Sequence, residues 1–156
     1  MDPATSRFIE RFGLLFEQEG FPRIAGRVTA YLLVSPGARS LDEIAEALAV
    51  SKASVSTDAR RLEAKGLIAR TSRPGDRRDY YEFAPDGFRT TLQSRLDVTR
   101  RFGALLADAR QLPLESDDAR TRVNEWSDFN TAMTESLAVL LERWSARDKS
   151  HLETPA

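Results

Sequence analysis

The spacing of apolar and polar residues predicts helices along most of the chain. Apolar side chains recur every three or four residues in six segments, as on one face of an amphipathic helix. The first segment covers residues 6–18 and ends near Gly20, and the second begins at Phe21 and stops at residues 35–37. Two short helices follow, and then two helices of about 25 residues. Helices of that length project beyond a small domain, so dimerisation is the simplest way to cover their apolar faces.

The middle of the chain predicts two short helices joined by a tight turn. Ser40 and Glu43 have the spacing of a capping box at the start of the first helix. Residues 49–51 leave room only for a turn, and Ser51 is a suitable N-cap for the second helix. Gly66 stands where a left-handed C-terminal cap belongs. The inner faces of the two helices carry Leu41, Ile44, Ala45, Leu48, Val55, Ala59 and Leu62.

A β-hairpin is predicted directly after this helix pair. Residues 67–71 and 79–83 have the composition of strands, the second with Tyr81 and Phe83 alternating against Tyr80 and Glu82. A Pro-Gly dipeptide between them marks the turn. This order is that of a winged helix-turn-helix, which places one helix in the DNA major groove and an arginine beside it in the minor groove. The predicted fold class is therefore mainly α with a small β-hairpin wing (α+β).

The outer face of the second helix carries hydroxyl and basic residues. These DNA-binding candidates are Lys52, Ser54, Ser56, Thr57, Arg60 and Arg61. Clustered hydroxyls are unfavourable in a helix because they compete for backbone hydrogen bonds. One interpretation is that the three hydroxyl residues contact base edges or phosphates while the three basic residues hold the DNA backbone. The alternative is that Ser51 and Ser54 only cap the helix and the other side chains form a solvated face.

The predicted hairpin tip is also basic. It contains Arg73, Arg77 and Arg78, with Asp76 close enough to brace one of them. A tip that served only solubility would need one or two charges. An arginine-bearing wing is therefore favoured over an ordinary charged hairpin.

The distribution of charge supports DNA binding more than the total charge does. The chain has a formal net charge of -1, whereas residues 51–78 contain eight Lys or Arg against three acids, a local charge of +5. The remaining residues therefore carry -6. A basic patch on an acidic body is attracted to phosphate while the rest of the surface is repelled, which orients the encounter.

Composition excludes several kinds of chemistry. The chain has no cysteine, and its one histidine, His151, lies in a polar tail, so thiol chemistry, histidine-dependent triads and multi-histidine metal sites are excluded. No catalytic or nucleotide-binding motif is present, and neither an enzyme nor a cofactor is predicted. The acids Glu115, Asp117 and Asp118 are interpreted as a helix start rather than a cation site. With no apolar run near the ~20 residues of a membrane span and no leader-like N-terminus, we expect a soluble, cytoplasmic protein.

These features resemble the MarR family of bacterial winged-helix regulators, and within it the branch named for the regulation of glycine betaine synthesis (GbsR-like). The resemblance covers most of the chain and is most specific at residues 22–27 (PRIAGR), 51–57 (SKASVST), 65–68 (KGLI) and 75–81 (GDRRDYY). It implies an obligate homodimer, held by its terminal helices, that binds a pseudo-palindromic operator and usually represses transcription. By position, Ser54, Ser56, Thr57 and Arg60 resemble major-groove residues, and Arg77 or Arg78 resembles the wing-tip arginine.

The resemblance and the helix pattern together predict four segments. They are an N-terminal dimerisation helix at 1–20, a winged helix-turn-helix DNA-binding domain at 21–84, a helical dimerisation region at 85–148 and a disordered tail at 149–156. Relatives often release DNA when a small molecule enters the crevice between the dimer helices and the winged helix. The aromatic residues that could line such a crevice are Phe12, Tyr31, Trp126, Phe129 and Trp144, although such a stripe is more often core. An apolar, lipid-like effector or a quaternary ammonium held by cation-π attraction would suit them.

The sequence therefore predicts a homodimeric, ligand-responsive transcriptional repressor that binds double-stranded DNA. The alternative is a winged-helix module that binds another protein and does not read DNA. The local charge of +5 and the three wing arginines favour DNA, because a protein-binding module would not require them.

Overall fold

The computed structural model describes the backbone of residues 1–152 and the side chains of residues 1–146. Over these residues the chain forms six helices and three short strands. They are, in chain order, α1 (Pro3–Gln18), α2 (Arg23–Val34), β1 (Arg39–Ser40), α3 (Leu41–Leu48), α4 (Lys52–Ala64), β2 (Ile68–Thr71), β3 (Tyr80–Phe83), α5 (Gly87–Ala109) and α6 (Asp117–Leu152). The tail predicted at 149–156 lies outside the residues whose side chains are described.

The chain divides into two compact units, Met1–Phe88 and the residues from Arg89 onward. The first unit holds α1 to α4 and the three strands, and the second holds α6 and nearly all of α5. The first unit has the helix-turn-helix and hairpin that the sequence predicts. The predicted fold class, mainly α with a small β wing, is confirmed.

Helix α1 packs closely against α2 because glycines stand where the two helices meet. A Cβ atom at Gly26 would lie 2.7 Å from the Cβ of Phe16, and one at Gly13 would lie 2.6 Å from the Cγ of Arg27. These distances leave no room for a side chain at either glycine. Ile9 of α1 is 1% exposed within the same core, so α1 is an integral part of the first unit.

The helix pair α3 and α4 forms as the cap residues predict. The Glu43 carboxylate accepts from the Ser40 backbone N–H at 2.7 Å, and Ser40 Oγ accepts from the Glu43 N–H, which closes the capping box. Ala49 ends α3 in a left-handed conformation with φ 52°, and Ser51 caps α4. The apolar faces of both helices are buried in one core. The caps therefore fix where α3 and α4 begin and end, and the core fixes how the two helices pack against each other.

The three strands form an antiparallel sheet in the order β1-β3-β2. Ser40 pairs with Tyr80 across β1 and β3, and Ile68 pairs with Phe83 across β2 and β3. β1 is missing from the sequence prediction because two residues carry no periodicity. Its pairing joins the start of α3 to the base of the wing.

The predicted alternation along β3 is wrong at Tyr80. Tyr80 is 1% exposed and Tyr81 is 4% exposed, so neighbouring side chains on opposite faces of the strand are both buried. Tyr81 belongs to the hydrophobic core, whereas Tyr80 is covered by the wing, where the guanidinium carbon of Arg73 lies 4.0 Å from its ring centroid. A central strand covered on both faces does not show the in-out pattern of a half-buried strand.

The second unit is built from α5 and α6. The rings of Phe102 and Trp126 lie 5.6 Å apart, and Arg110 forms an ion pair with Asp128 at 2.9 Å. Asp117 and Asp118 occupy the first turn of α6, which confirms their interpretation as a helix start. None of the helices in the described part of the chain combines the length and apolar character needed to cross a membrane.

Candidate nucleic-acid interface

Helix α4 presents one face to the core and the opposite face to solvent. Val55, Ala59 and Leu62 are at most 2% exposed, and Asp58 beside them is 5% exposed. The Asp58 carboxylate is paired with Arg61 Nη1 at 3.2 Å. Arg61 therefore compensates a buried acid as well as contributing positive charge to the solvent face.

The six residues predicted on the outer face of α4 do lie on its solvent side. Lys52, Thr57, Arg60 and Arg61 are exposed, and Ser54 and Ser56 are half-buried. A single rigid helix thus carries all of them. Their local contacts differ, and these contacts separate side chains that are engaged within the helix from those that can still bind a ligand.

The hydroxyl groups fall into two kinds. Ser51 Oγ accepts from the Ser54 N–H at 3.2 Å and lies 2.8 Å from Ser54 Oγ, so both side chains take part in the N-cap. Thr57 Oγ1 donates to the Ala53 carbonyl at 3.0 Å, which leaves its oxygen able to accept. The Ser56 hydroxyl makes no hydrogen bond with the described residues. The alternative that the hydroxyls only cap the helix therefore fits Ser54, whereas Ser56 and Thr57 can still form hydrogen bonds with a ligand.

Two basic residues of α4, Lys52 and Arg60, are held by weak surface contacts. Lys52 Nζ forms an ion pair with Asp42 at 2.8 Å, and Arg60 Nε donates to the Ser56 carbonyl at 3.2 Å. Both partners of the Lys52 pair are more than half exposed, and such pairs are worth only about 0–1 kcal/mol. A phosphate group could replace these contacts at little cost.

The wing is organised around the phenol of Tyr80. The Tyr80 hydroxyl donates to Asp76 Oδ2 at 2.7 Å, and Arg78 Nη2 donates to the same carboxylate oxygen at 2.6 Å. The Arg73 guanidinium lies over the Tyr80 ring, and its Nη2 donates to the Ala38 carbonyl at 2.7 Å. The prediction that Asp76 braces one arginine is confirmed, and the arginine is Arg78.

The electrostatics of this cluster keep it in one protonation state at neutral pH. Hydrogen bonds from the side chains of Arg78 and Tyr80 hold the pKa of Asp76 well below its ordinary value. The same carboxylate raises the pKa of Arg78 and, by accepting from the phenol, also raises the pKa of Tyr80. The cluster therefore contains an anionic Asp76, a cationic Arg78 and a neutral Tyr80, and it anchors the wing to the sheet.

Arg77 differs from its two neighbours in the wing. Its side chain is exposed and forms no ion pair or hydrogen bond with any residue in the described part of the chain. Arg73 and Arg78 both serve the Tyr80 cluster. Of the two arginines that the sequence left as alternatives for the wing tip, Arg77 is thus the one whose whole charge faces solvent.

Tyr80 is the residue of this site that sequence reasoning missed. The sequence carries no clear signal for it, because Asp76 and Arg78 lie in the turn and bend before β3, where strand periodicity does not place alternate side chains on one face. The cluster forms only when the wing folds back onto Tyr80.

The five aromatic residues predicted at an effector crevice belong to two different units. In the first unit, Phe12 and Tyr31 are partly buried and pack against the hydrophobic core. In the second unit, Trp126 and Phe129 are exposed and Trp144 is half-buried. Among the described residues, no group of His, Cys, Asp or Glu side chains is arranged to hold a metal ion.

The first unit thus has the architecture of a winged helix-turn-helix protein, with polar and basic side chains on the solvent face of α4. A family model described as MarR family matches residues 19–79. The HTH-type transcriptional regulator MmpR5 of Mycobacterium tuberculosis is 34% identical over 94% of this chain and 90% of its own length. A crystal structure of a transcriptional regulator matches with a TM-score of 0.77 and 32% identity, covering 92% of this chain and 99% of that chain. The chain belongs to the MarR family of transcriptional regulators.

Proposed function

We propose that this protein is a DNA-binding transcriptional repressor that acts as a homodimer on a pseudo-palindromic operator. The observation that carries the proposal is the solvent face of α4, where hydroxyl and basic side chains stand beside a wing whose tip bears an unpaired arginine. The residues proposed to bind DNA are Lys52, Ser54, Ser56, Thr57, Arg60 and Arg61 on α4 and Arg73, Arg77 and Arg78 in the wing.

The local contacts of these residues suggest which part of the DNA each one binds. The Ser56 hydroxyl can donate to or accept from a base edge in a major groove, and the Thr57 oxygen can accept from one while its proton stays on the Ala53 carbonyl. Lys52 and Arg60 are basic and exposed, so they suit the phosphates on either side. Arg77 suits a narrow minor groove, where the negative potential attracts a guanidinium. Arg73 and Arg78 act mainly by holding the wing in place, through Tyr80 and Asp76.

A homodimer is supported by apolar side chains that the single chain leaves in water. In the second unit Leu105 and Phe129 are each 64% exposed and Trp126 is 57% exposed, and in the first unit Leu15 of α1 is 52% exposed. Large exposed apolar patches mark association surfaces. Two recognition helices related by a two-fold axis would read half-sites about 10 base pairs apart.

We also propose that a small-molecule effector releases the protein from its operator DNA. The candidate effector residues Phe12, Tyr31, Trp126, Phe129 and Trp144 supply aromatic faces that suit an apolar compound or a quaternary ammonium. The GbsR-like branch suggested by the sequence motifs is likewise part of this proposal. Both would be tested by titrating the protein–DNA complex with choline, betaine and amphipathic apolar compounds.

A salt titration tests the central claim. A duplex selected by the protein from a randomised DNA library would be compared with a random duplex between 50 and 200 mM salt. Over this range, added salt lowers the affinity of a protein with about 6–10 phosphate contacts by ~10³–10⁵. We expect a steep salt dependence on both duplexes and tighter binding to the selected one. A failure to bind or select any duplex, with the fold intact by circular dichroism, would favour the protein-interaction alternative.

A further inference from the structure

The guanidinium of Arg27 lies where α1, α2 and the end of α3 meet in the first unit. Its Nη2 atom donates to the Leu48 carbonyl at 2.6 Å, and its Nε atom lies 2.7 Å from the Glu10 carboxylate. The side chain is only 18% exposed. One side chain of α2 thus contacts both α1 and α3, and each contact involves its positive charge.

Helix α1 has room for this side chain because Gly13 faces it. Gly13 is buried, and a Cβ atom there would lie 2.6 Å from Arg27 Cγ and 3.1 Å from the Arg23 carbonyl oxygen. A larger residue at this position would displace the Arg27 side chain. Glu10 stands three residues before Gly13, on the same face of α1. This face of α1 is therefore fitted to Arg27 by both space and charge.

The Leu48 carbonyl lies at the turn that leads into α4. Leu48 ends α3, and α4 begins at Lys52. Between them Ala49 has φ 52°, and within the described part of the chain it is the one residue other than glycine with positive φ. An alanine adopts this left-handed conformation unfavourably, so the turn needs contacts from its surroundings to hold it. Arg27 supplies such a contact at the carbonyl just before Ala49.

The exact position of α4 matters more for reading bases than for binding phosphates. Short side chains such as those of Ser56 and Thr57 reach a base edge only if the helix lies within about 0.5 Å of its productive position. The long side chains of Lys52 and Arg60 can follow a phosphate over larger shifts. A contact that fixes the start of α4 should therefore affect sequence discrimination more than affinity for random DNA.

We propose that Arg27 is a positioning residue for DNA recognition, which links α1 to the start of α4 and thereby sets the discrimination between operator and random DNA. This inference rests on the proposed DNA-binding function. Arg27 does not itself bind DNA, because it acts through the Leu48 carbonyl and the turn at Ala49. Glu10 holds the guanidinium from the side of α1, so a shift of α1 is transmitted to the same turn.

Two variants with the same change in charge test the proposal. Arg27→Met removes the bond to Leu48, whereas Arg23→Met removes the other arginine paired with Glu10 and leaves that bond in place. Fluorescence anisotropy of the full chain, at a temperature where both variants are folded, would measure affinity for a selected and a random duplex over a range of salt concentrations.

The two variants should differ in discrimination. We expect Arg27→Met to lose about ten-fold or more in discrimination between the duplexes with an unchanged salt slope on random DNA, because it removes no phosphate contact. Arg23→Met should retain the discrimination of the original chain. Unchanged discrimination in Arg27→Met would overturn the proposal. Equal losses of affinity on both duplexes would make Arg27 a phosphate contact and would overturn it as well.

A variant elsewhere in the core separates positioning from stability. Ile68→Val removes one carbon atom from a side chain of β2 that is 2% exposed, so it destabilises the same core without touching the turn. It should leave the discrimination unchanged. If Ile68→Val loses as much discrimination as Arg27→Met, Arg27 serves only the stability of the fold and the proposal is wrong.

A conservative substitution keeps the test decisive if Arg27→Met does not fold, as judged by circular dichroism. Arg27→Lys retains the charge, but its single nitrogen cannot replace both Nη2 at Leu48 and Nε at Glu10. Discrimination should then still fall by about three-fold or more, and less than in a folded Arg27→Met. Unchanged discrimination in Arg27→Lys would overturn the proposal in that case. An original chain that selects no duplex would contradict the proposed function together with this inference, whereas the outcomes above contradict this inference alone.

Discussion

Arg27 of α2 donates a hydrogen bond of 2.6 Å from Nη2 to the carbonyl of Leu48, the last residue of α3. That carbonyl is one of the groups that a helix C-terminus leaves without an intrahelical partner. The Glu10 carboxylate of α1 lies 2.7 Å from Arg27 Nε, as an ion pair without hydrogen-bond geometry. Glu10 also forms an ion pair with Arg23 at 3.0 Å. One guanidinium therefore joins α1, α2 and the turn that leads into α4.

Arg27→Met should destabilise the first unit by about 1–3 kcal/mol, because the Leu48 carbonyl loses its charged donor. Methionine keeps much of the apolar length of the side chain. Urea unfolding followed by circular dichroism would measure the change. Arg23→Met is the matched control, since its pair with Glu10 is more than 40% exposed on both sides and should contribute at most about 1 kcal/mol. Equal losses from the two variants would show that the contact with Leu48 adds nothing.

The wing offers a second comparison between neighbouring residues. Arg77→Ala should weaken binding to many DNA sequences without changing the unfolding free energy, because Arg77 is exposed and forms no hydrogen bond or ion pair with the described residues. Arg78→Ala should also increase amide exchange in residues 73–78, since it removes the partner of Asp76. Fluorescence anisotropy on several duplexes, combined with hydrogen exchange, would separate the two effects. Unchanged DNA affinity in Arg77→Ala would rule out this residue as the wing-tip contact.

The recognition helix should separate base contacts from phosphate contacts. Thr57→Val keeps the shape of the side chain and removes its hydroxyl, so discrimination between selected and random duplexes should fall by about 1–3 kcal/mol for a true base contact. Lys52→Met should instead reduce the slope of log affinity against log salt by about one. The measurement is a salt titration of each variant on both duplexes. Uniform losses on every sequence from both variants would contradict this assignment of roles.

The capping box of α3 should make stability depend on acid pH. Hydrogen bonds from the Ser40 backbone N–H and then its hydroxyl lower the pKa of Glu43 from its ordinary value of 4.5. A carboxylate whose pKa is lower in the folded state stabilises that state above the ordinary value, and the contribution is lost as the pH falls through the folded pKa. Glu43→Gln should therefore lower stability at neutral pH and flatten its decline below pH 4.5, as measured by urea unfolding at several pH values.

A variant on the same helix controls for the change in net charge. Glu46→Gln removes a carboxylate outside the capping box and should retain the stability of the original chain at neutral pH. If Glu43→Gln and Glu46→Gln give the same pH profile, the capping interaction is not the source of the acid dependence.

The parts of this fold that were predictable from sequence are those set by local geometry. A capping box, an N-cap serine and a glycine with positive φ depend on residues within one helical turn, and Ser40, Ser51 and Gly66 all occupy their predicted positions. The burial of Tyr80 and the bond from Arg27 to Leu48 depend on residues distant in sequence that folding brings together. No periodicity encodes such contacts. The distinction between Arg77 and Arg78 likewise required the geometry of the wing, because the two residues are chemically identical.

The oligomeric state is the remaining prediction that single substitutions can test. Leu105→Glu and Phe129→Glu place a charge on side chains that are each 64% exposed in the second unit, and they should weaken dimerisation by about ten-fold or more if these residues form the centre of the interface. Sedimentation equilibrium across micromolar concentrations would measure the change. Gln111→Glu adds the same charge at an exposed position that is already polar and should leave the dimer intact. An unmodified chain that sediments as a monomer at these concentrations would contradict the dimer, and two half-sites would then have to be bound independently.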